Sequence, residues 1–581
     1  MVKRAATNQK IAAILREIGL FDEAFDVPYK PQAYESAAEV VEGLGEQLSD
    51  LYQKCGTACI DDLPGIGESI AKKIEELVTT GRLKAYDQLK KKYPFDLAGM
   101  TAIHGLGPKK AMALYQALKV KDLKALENAA KAGKVRRVPG FGRKTEDAIL
   151  SGLGFLREHE GRFRLHDILP VADRLVGQLK RVPGAHEVEV TGSIRRMKET
   201  IGDIDLIMTA DDPKRALDAF TAYPEVTQVL MRSDDRASVR CRGGIQADLI
   251  VLEPDHFALV LHHFTGNREH NIELRTLALK HDMTLSEYGL LKEGKPLPIK
   301  KEENIYQALG LPWIPPEIRE GQGEINAARE GRLPDLVGYD DVKGDLQVQT
   351  DWTDGAASIE EMAKEARKRG LSYIAVTDHT KALAMTGGLD EKRLAEQGKE
   401  IDALNAKTKG FRILKSTECD ILKDGRLDVD DAALKALDLV CVSVHSFFAL
   451  SESVQTERII RAFKHPLVNV FLHPTGRIVN AREPYALDFP RVLRAAKEYG
   501  VALEVNGSHR LDLRDAHVRE AVGTGVKLVI DSDSHSPAEY DFLKFGIAQA
   551  RRGWATKADV LNTKPVEAFL KALHGLKKNK K

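Results

Sequence analysis

The stretch GDIDLIM, Gly202 to Met208, constrains this chain more than any other. Apolar residues alternate with Asp203 and Asp205, as they do on a strand with one buried face. Residues two apart on a strand point to the same side, so the two carboxylates converge. A further strand, GIQADLIVL (244–252), offers a third carboxylate, Asp248. Three carboxylates on one sheet face repel unless cations lie between them. Oxygen ligands suit Mg²⁺ or Mn²⁺, and Mg²⁺ usually also takes substrate phosphates. Two such ions stabilise the attacking and leaving oxygens of a phosphoryl transfer. Upstream, TGSIRR (191–196) supplies Gly192 and Ser193 to present a backbone N–H and a hydroxyl to phosphate, and Arg196 to neutralise it. An Asp-x-Asp pair alone is a common surface-strand pattern. The Gly-Ser turn before it and the strand aspartate after it give the pair its chemical meaning.

The first 150 or so residues read differently, as short helices with glycine turns. One pattern recurs in LPGIGESIAKKI (63–74), HGLGPKKAMAL (104–114) and VPGFGRKTEDAI (138–149), at spacings of 40 and 35 residues. Each is a Gly-x-Gly turn followed by a helix with basic residues near its start. Gly65 and Gly67, Gly105 and Gly107, and Gly140 and Gly142 let a backbone approach a ligand closely. The N–H groups at a helix start favour an anion. This is the helix-hairpin-helix arrangement, which grips DNA phosphates without reading sequence. Net charge is only +1, yet KAGKVRRVPGFGRKT (131–145) holds six basic residues and no acidic one. DNA contact through local patches is therefore expected.

With 581 residues, 43% hydrophobic and 30% charged, the chain has room for about three to four domains. It contains no apolar run long enough to span a membrane and no signal-peptide pattern at its start. The five widely spread cysteines are expected to be reduced thiols, which fits a cytoplasmic protein. Cys55 and Cys59 lack a second pair to complete a zinc site.

The motifs TGSIRRMKETIGDIDLI, ADLIVL and FTGNREHNIELRTLAL resemble, in order, those of a family X DNA polymerase, the group of DNA polymerase beta. The resemblance spans residues 1 to about 320. It implies transfer of dNTPs onto a primer 3′-OH in short gaps of primer-template DNA during repair. No dimerisation surface is readable in the sequence, so a monomer is the default expectation. By the same resemblance Asp203 and Asp205 bind both metals, Asp248 assists the primer 3′-OH, and Gly192, Ser193, Arg196 and Gly202 hold the triphosphate. Phe264 and Gly266 line the sugar, Asn271 meets the base edge, and Arg275 the template strand. His263 stands where the family commonly has Tyr, a position that helps exclude the ribose 2′-OH. Lys73 falls where the family's 5′-deoxyribose-phosphate lyase nucleophile lies, and a DNA-phosphate contact is its alternative role. The implied divisions are a lyase-like helical domain (1–82), a helix-hairpin-helix fingers domain (83–160), a nucleotidyltransferase palm (161–255), a last polymerase subdomain (256–320) and a linker (321–340).

From about residue 341 to 575, strand and helix alternate, which implies a parallel α/β domain. Several apolar strands end in polar residues: Asp378 and His379, Glu418 and Asp420, His445, His473, and Asp533 and His535. In barrel-type α/β domains such strand ends build the active site. The set resembles the polymerase and histidinol phosphatase (PHP) domain, a distorted (β/α)7 barrel that binds Mn²⁺ or Zn²⁺. Asp354, His379, Glu418, His445, His473, Asp533 and His535 match its ligand positions. Gln347 and Gln349, in VKGDLQVQTDWTDG, stand where two histidines are expected. An amide is a poor ligand beside imidazole or carboxylate. Glu418 and Asp533 thus lack two partners for a first ion, while His379, His445 and His473 remain for a second. Reduced metal occupancy is expected. The domain then reads as a weakened or altered Mn²⁺-dependent 3′–5′ exonuclease, or as a structural or regulatory unit. Two other whole-chain readings compete. A phosphoesterase targeted by its N-terminal half requires the intact cluster that Gln347 and Gln349 interrupt. A non-enzymatic DNA-end scaffold predicts broken polymerase carboxylates, and Asp203, Asp205 and Asp248 are all present.

Overall fold

Three copies of one turn build the helical part of the chain. In the computed structural model, which describes residues 7–28, 30–44, 47–63, 66–103, 105–158 and 161–578, each Gly-x-Gly turn is pinned by its central residue. Ile66, Leu106 and Phe141 are buried. Their backbone N–H groups close onto Leu63, Ile103 and Val138 carbonyls at 3.1, 3.0 and 3.0 Å. Gly105 and Gly140 take φ of +80° and +83°, a region that L side chains avoid. The helices Glu68–Thr80, Pro108–Leu118 and Arg143–Glu158 follow. Gly65 lies outside the described residues.

This first compact unit, Met1–Glu160, holds two hydrophobic cores, one drawn from Ile11 to Leu83 and one mainly from Phe95 to Leu153. Phe21, on the first helix Asn8–Ala24, is buried among Phe95, Leu114 and Phe141 of the later hairpins. The expectation of five reduced thiols needs correction. Cys55 and Cys59 are joined by a disulfide with Cα atoms 5.8 Å apart, within the span such a bond requires. Gly56, at φ +69°, ends the helix Leu48–Cys55 and turns Cys59 back toward it. Cys241, Cys419 and Cys441 are buried free thiols.

The second unit, Gly161–Lys581, holds a palm, a small subdomain and a barrel. The palm sheet has the order Ala185–Val190, Asp203–Ala210, Gln246–Leu252, Arg236–Cys241, Val226–Arg232. Its two central strands are parallel; the other pairings are antiparallel. Next come the helices Phe257–Thr265 and Arg268–Lys280 and a hairpin of Met283–Ser286 with Gly289–Lys292. The stretch 321–340, expected to be a linker, is packed structure. It contains the helix Glu324–Arg329, and Ile325 and Ala328 complete the core under the helix Arg268–Lys280. Its apolar residues lie at helical spacing, and that signal outweighs the prolines upstream.

The barrel strands are all parallel. Gly344–Val348, Tyr373–Val376 and Arg412–Lys415 form one sheet, and Glu418–Asp420, Val440–Ser443, Val468–Phe471, Ala502–Asn506 and Leu528–Asp531 the other. Parallel bridges Val348–Ser534 and His379–Glu418 join the sheets. Ser416 and Thr417 interrupt a single strand, so the expected seven-stranded barrel results. The barrel also completes the palm: Val479, Leu511 and Phe545 are buried in the palm core. No described helix is long and apolar enough to cross a membrane.

Candidate functional sites

Strand register brings the three palm aspartates together. Asp205 pairs directly with Asp248, and Asp203 with Gln246, across the parallel strands. Ligand oxygens of Asp203, Asp205 and Asp248 lie within 4.8 Å of one another. Burial, then the neighbouring Asp203 and Asp248, push the Asp205 carboxyl up to about 7, and Arg196 opposes them. Burial and Asp248 raise Asp203 as well. Concentrated negative charge of this kind is what an oxygen-ligated divalent cation offsets, so the donor set fits one. Gln246, which sequence reasoning missed, donates Nε2 to Asp248 Oδ2 at 2.9 Å and fixes its orientation.

Gly192 has φ +58°, and a Cβ there would stand 2.6 Å from Asp205 Oδ2. The glycine is thus required by the carboxylate behind it. Gly192 and Ser193 open the short helix Gly192–Arg195, a helix where a bare turn was expected. Gly202 directly precedes Asp203 on the strand. Arg196 Nη1 donates to the Thr265 carbonyl, and Arg196 Nε to Glu320 Oε1 at 3.0 Å. Gly266, at φ +68°, has Arg196 Nη1 3.3 Å from where its Cβ would be. Arg196 is therefore adjacent to Thr265 and Gly266. Asn271 Nδ2 donates to the His263 carbonyl at 2.8 Å, while its Oδ1 is buried with no hydrogen-bond partner among the described residues. Arg275 Nη2 meets His263 Nδ1 at 3.1 Å. Burial holds His263 below the usual imidazole range, with Arg275 adding and Glu287 opposing; the neutral ring accepts that bond. Phe264 is 38% exposed beside it.

In the helical unit, a side chain on Gly67, Gly105, Gly107, Gly140 or Gly142 would meet no atom within 4 Å. Each turn is open to a ligand. Of the basic run, Arg136 is committed to the buried Glu146, which accepts its backbone N–H at 2.9 Å. Lys134, Arg137 and Lys144 remain exposed. Lys73 Nζ donates to Ser69 O and Oγ at 3.0 Å and lies 5.7 Å from the Tyr34 ring centre. Burial lowers its pKa, Lys30 adds to the effect, and Asp22 opposes it.

The barrel mouth divides into parts that suit a cation and a part that does not. Asp354, His379 and His535 place ligand atoms within 4.8 Å of one another, as do His379, Glu418 and His445. His473 Nε2 adds a contact to Glu418 Oε1 at 2.7 Å. His379 Nδ1 and His473 Nδ1 are buried without hydrogen-bond partners among the described residues. His473 and Asp533 sit at φ +30° and +58°, strain of the kind that clusters at functional sites. These groups fit a divalent ion.

Around Glu418 Oε2 the chemistry is different. Gln347 Nε2 and Gln349 Nε2 donate to it at 3.2 and 3.0 Å. Asn506 Nδ2 donates to Gln347 Oε1 at 2.9 Å and to Asp533 Oδ2 at 3.1 Å. Arg510 Nε lies 3.4 Å from the same Asp533 oxygen. N–H donors thus fill the lone pairs that a first ion would use, and this part does not fit a metal. Asn506 and Arg510 were missed because LEVNGSHR ends its strand on an amide, not on His or a carboxylate. Polar residues at alternate positions of that strand were the available signal.

A carboxylate triad on a palm sheet beside a glycine turn, helix-hairpin-helix turns, and a barrel mouth lined by groups that could hold a metal together fit a nucleotidyl-transferring, DNA-processing enzyme. Family comparisons agree. Residues 6–83 match the Helix-hairpin-helix domain, 98–154 the SAM-like Helix-hairpin-helix tandem, 260–320 the DNA polymerase beta thumb and 345–508 the PHP domain. The DNA polymerase/3′-5′ exonuclease PolX of Bacillus subtilis is 36% identical over 97% of this chain and 99% of its own length. DNA polymerase lambda of Rattus norvegicus is 24% identical over 54% of this chain and 57% of its own. A probable phosphatase of Thermoanaerobacter sp. is 32% identical over 36% of this chain and 84% of its own. The chain belongs to the family X DNA polymerases of the bacterial PolX type, with a C-terminal PHP domain. Divalent-metal use and a DNA substrate follow from that membership.

Proposed function

We propose that the chain fills short gaps in damaged DNA by adding dNTPs to a primer 3′-OH under template direction, with Mg²⁺ or Mn²⁺ held by Asp203, Asp205 and Asp248. The observation that carries this reading is the close approach of the three carboxylates across paired parallel strands, with Gly192 pressed against Asp205. Bound ions would lower the charge on the primer oxygen and on the departing phosphates. Asp203 and Asp205 anchor ions and triphosphate together, and Asp248 faces the primer end. Ser193 and Arg196 orient the triphosphate, Asn271 offers its unpartnered amide oxygen to the base edge, and Arg275 leads to the template. The glycine turns hold the flanking duplex by its phosphates. The 3′-oxygen bonds to the α-phosphorus, pyrophosphate leaves, and the hydroxyl proton passes to solvent or a carboxylate. The test follows a 5′-labelled primer on one-nucleotide-gapped DNA, where extension by one nucleotide is expected. An unchanged primer would remove the reading.

His263 bears on sugar selection. A small imidazole committed to Arg275 covers less of the sugar's 2′ side than a tyrosine ring. His263→Tyr is expected to raise the preference for dNTP over rNTP about tenfold, measured as a ratio of kcat/KM. Equal ratios in parent and variant would dismiss the idea.

The barrel is read as an exonuclease weakened by Gln347 and Gln349, with Mn²⁺ or Zn²⁺ at Asp354, His379 and His535 and beside Glu418, His445 and His473. A lyase step is supported by the lowered pKa of Lys73, since Schiff-base chemistry needs the neutral amine. Borohydride is expected to trap the protein on DNA ending in 5′-deoxyribose phosphate. Trapping that survives Lys73→Ala would return Lys73 to a phosphate-contact role.

A further inference from the structure

The barrel reaches the nucleotide site through one buried arginine. Arg552, the last residue of the barrel helix Leu543–Arg552, is 4% exposed. Its Nη1 donates to the Arg196 carbonyl at 2.7 Å and to Glu320 Oε1 at 3.0 Å. Its Nη2 pairs with Asp515, another barrel residue. Glu320 Oε1 is the same oxygen that accepts from Arg196 Nε at 3.0 Å, and Lys198 Nζ lies 3.4 Å from Oε2. A second barrel arginine, Arg477, pairs with Glu199 at 2.6 Å. The segment from Arg196 to Glu199, just ahead of the catalytic strand, is thus clamped from the barrel at both ends.

We propose that Arg552 is a positioning residue for polymerisation: it shares Glu320 with Arg196 and holds the Arg196 carbonyl, which keeps the Arg196 guanidinium in place yet releasable to an incoming triphosphate. The inference rests on the reading that Arg196 meets that triphosphate. Arg196, Lys198 and Arg552 share Glu320, Arg552 also pairs with Asp515, and Arg196 also faces Asp205. A carboxylate divided among three cations holds each less firmly than one serving two. Without Arg552, Glu320 turns wholly to Arg196 and Lys198, and Asp515 keeps only the more distant Lys198. The Arg196 carbonyl also loses its donor. The triphosphate then competes for an arginine that is both more tightly bound and less well placed. The barrel would serve the polymerase in this way whether or not its own metal centre works.

The test uses the full chain on one-nucleotide-gapped DNA with the dNTP titrated. Arg552→Met is expected to raise KM for the dNTP about tenfold while kcat changes by less than about threefold. Arg552→Lys, which restores the charge but not the fork, is expected to fall between. Glu320→Gln added to Arg552→Met is expected to recover part of the loss, because it loosens the grip on Arg196. A merely structural arginine gives the opposite split: kcat falls with the folded fraction and KM stays, which would overturn the proposal. If Arg552→Met does not fold, Asp515→Asn loosens the same clamp from its other end and is expected to raise KM about threefold; an unchanged KM is again fatal. Arg196→Met is measured alongside. If it leaves KM unaltered, the triphosphate reading falls and the inference with it. If it raises KM and Arg552→Met does not, the inference alone is wrong.

Discussion

Asp203→Ala is expected to lower one-nucleotide gap filling by about a thousandfold or more, since it removes a group that stabilises charge developing in the transition state. Affinity for gapped DNA should stay within about twofold, because the proposed contacts to duplex phosphates lie in the hairpin turns and not at the palm carboxylates. Two observations fix the size of the effect. The three carboxylates lie within 4.8 Å of one another, so a cation held there would be shared among them and none would be a spare. Asp203 also heads its strand, beside Gly202 and facing Gln246 across the pair, where no other carboxylate can take its place. Thermal stability should be equal or higher in the variant without added metal, because mutual repulsion among the three charges is relieved. Added Mg²⁺ should then stabilise the parent more than the variant. Primer extension, gapped-DNA binding and melting in parallel decide the matter. Full extension by Asp203→Ala would place the chemistry elsewhere, and a collapse of DNA binding would make Asp203 a structural residue.

Much of this site was legible in the sequence because strand period does simple work. Asp203 and Asp205 two apart, and Asp248 in an alternating apolar segment, need only a parallel register to converge. The glycine turns were legible because the repeat occurs three times; the burial of the central residue in each was not. What lay beyond reach depends on long-range placement. Arg552 and Glu320 are 232 residues apart in the chain, and neither belongs to a local pattern. The pairing of Arg195 and the fully buried Arg319 with Glu302 is of the same kind. The disulfide of Cys55 with Cys59 depends on the Gly56 turn, which spacing alone does not reveal. Gln347 and Gln349 were legible as missing ligands. Their use as donors was not, because it requires Glu418 and Asn506 from distant strands to be in place.

The double substitution Gln347→His with Gln349→His is expected to raise bound metal by about one ion per chain and to speed Mn²⁺-dependent shortening of a primer 3′ end by about ten- to a hundredfold, the range by which altered metal surroundings change affinity or activity. At present Glu418 Oε2 accepts from two amides, at 3.2 and 3.0 Å, so its lone pairs are aimed at protons. Two imidazoles remove those donors and add two lone pairs facing Glu418 and Asp533, which then form a four-ligand set of the kind zinc and manganese accept. Each single substitution should gain little, since the remaining amide still donates to the carboxylate. Arg510 opposes the change from its place 3.4 Å from Asp533, and an arriving cation must displace it. Adding Arg510→Gln to the double variant should therefore increase metal content further, whereas adding Asp533→Asn should return it to that of the parent. Metal analysis of the dialysed chains, read beside the shortening rate without dNTPs, tests each step. A parent chain that already holds the full metal complement and shortens primers as fast as the double variant would show that the two amides do no harm. The view of this barrel as a weakened nuclease would then be wrong, and Asp354, His379, His535 and the Glu418 cluster would be sufficient by themselves.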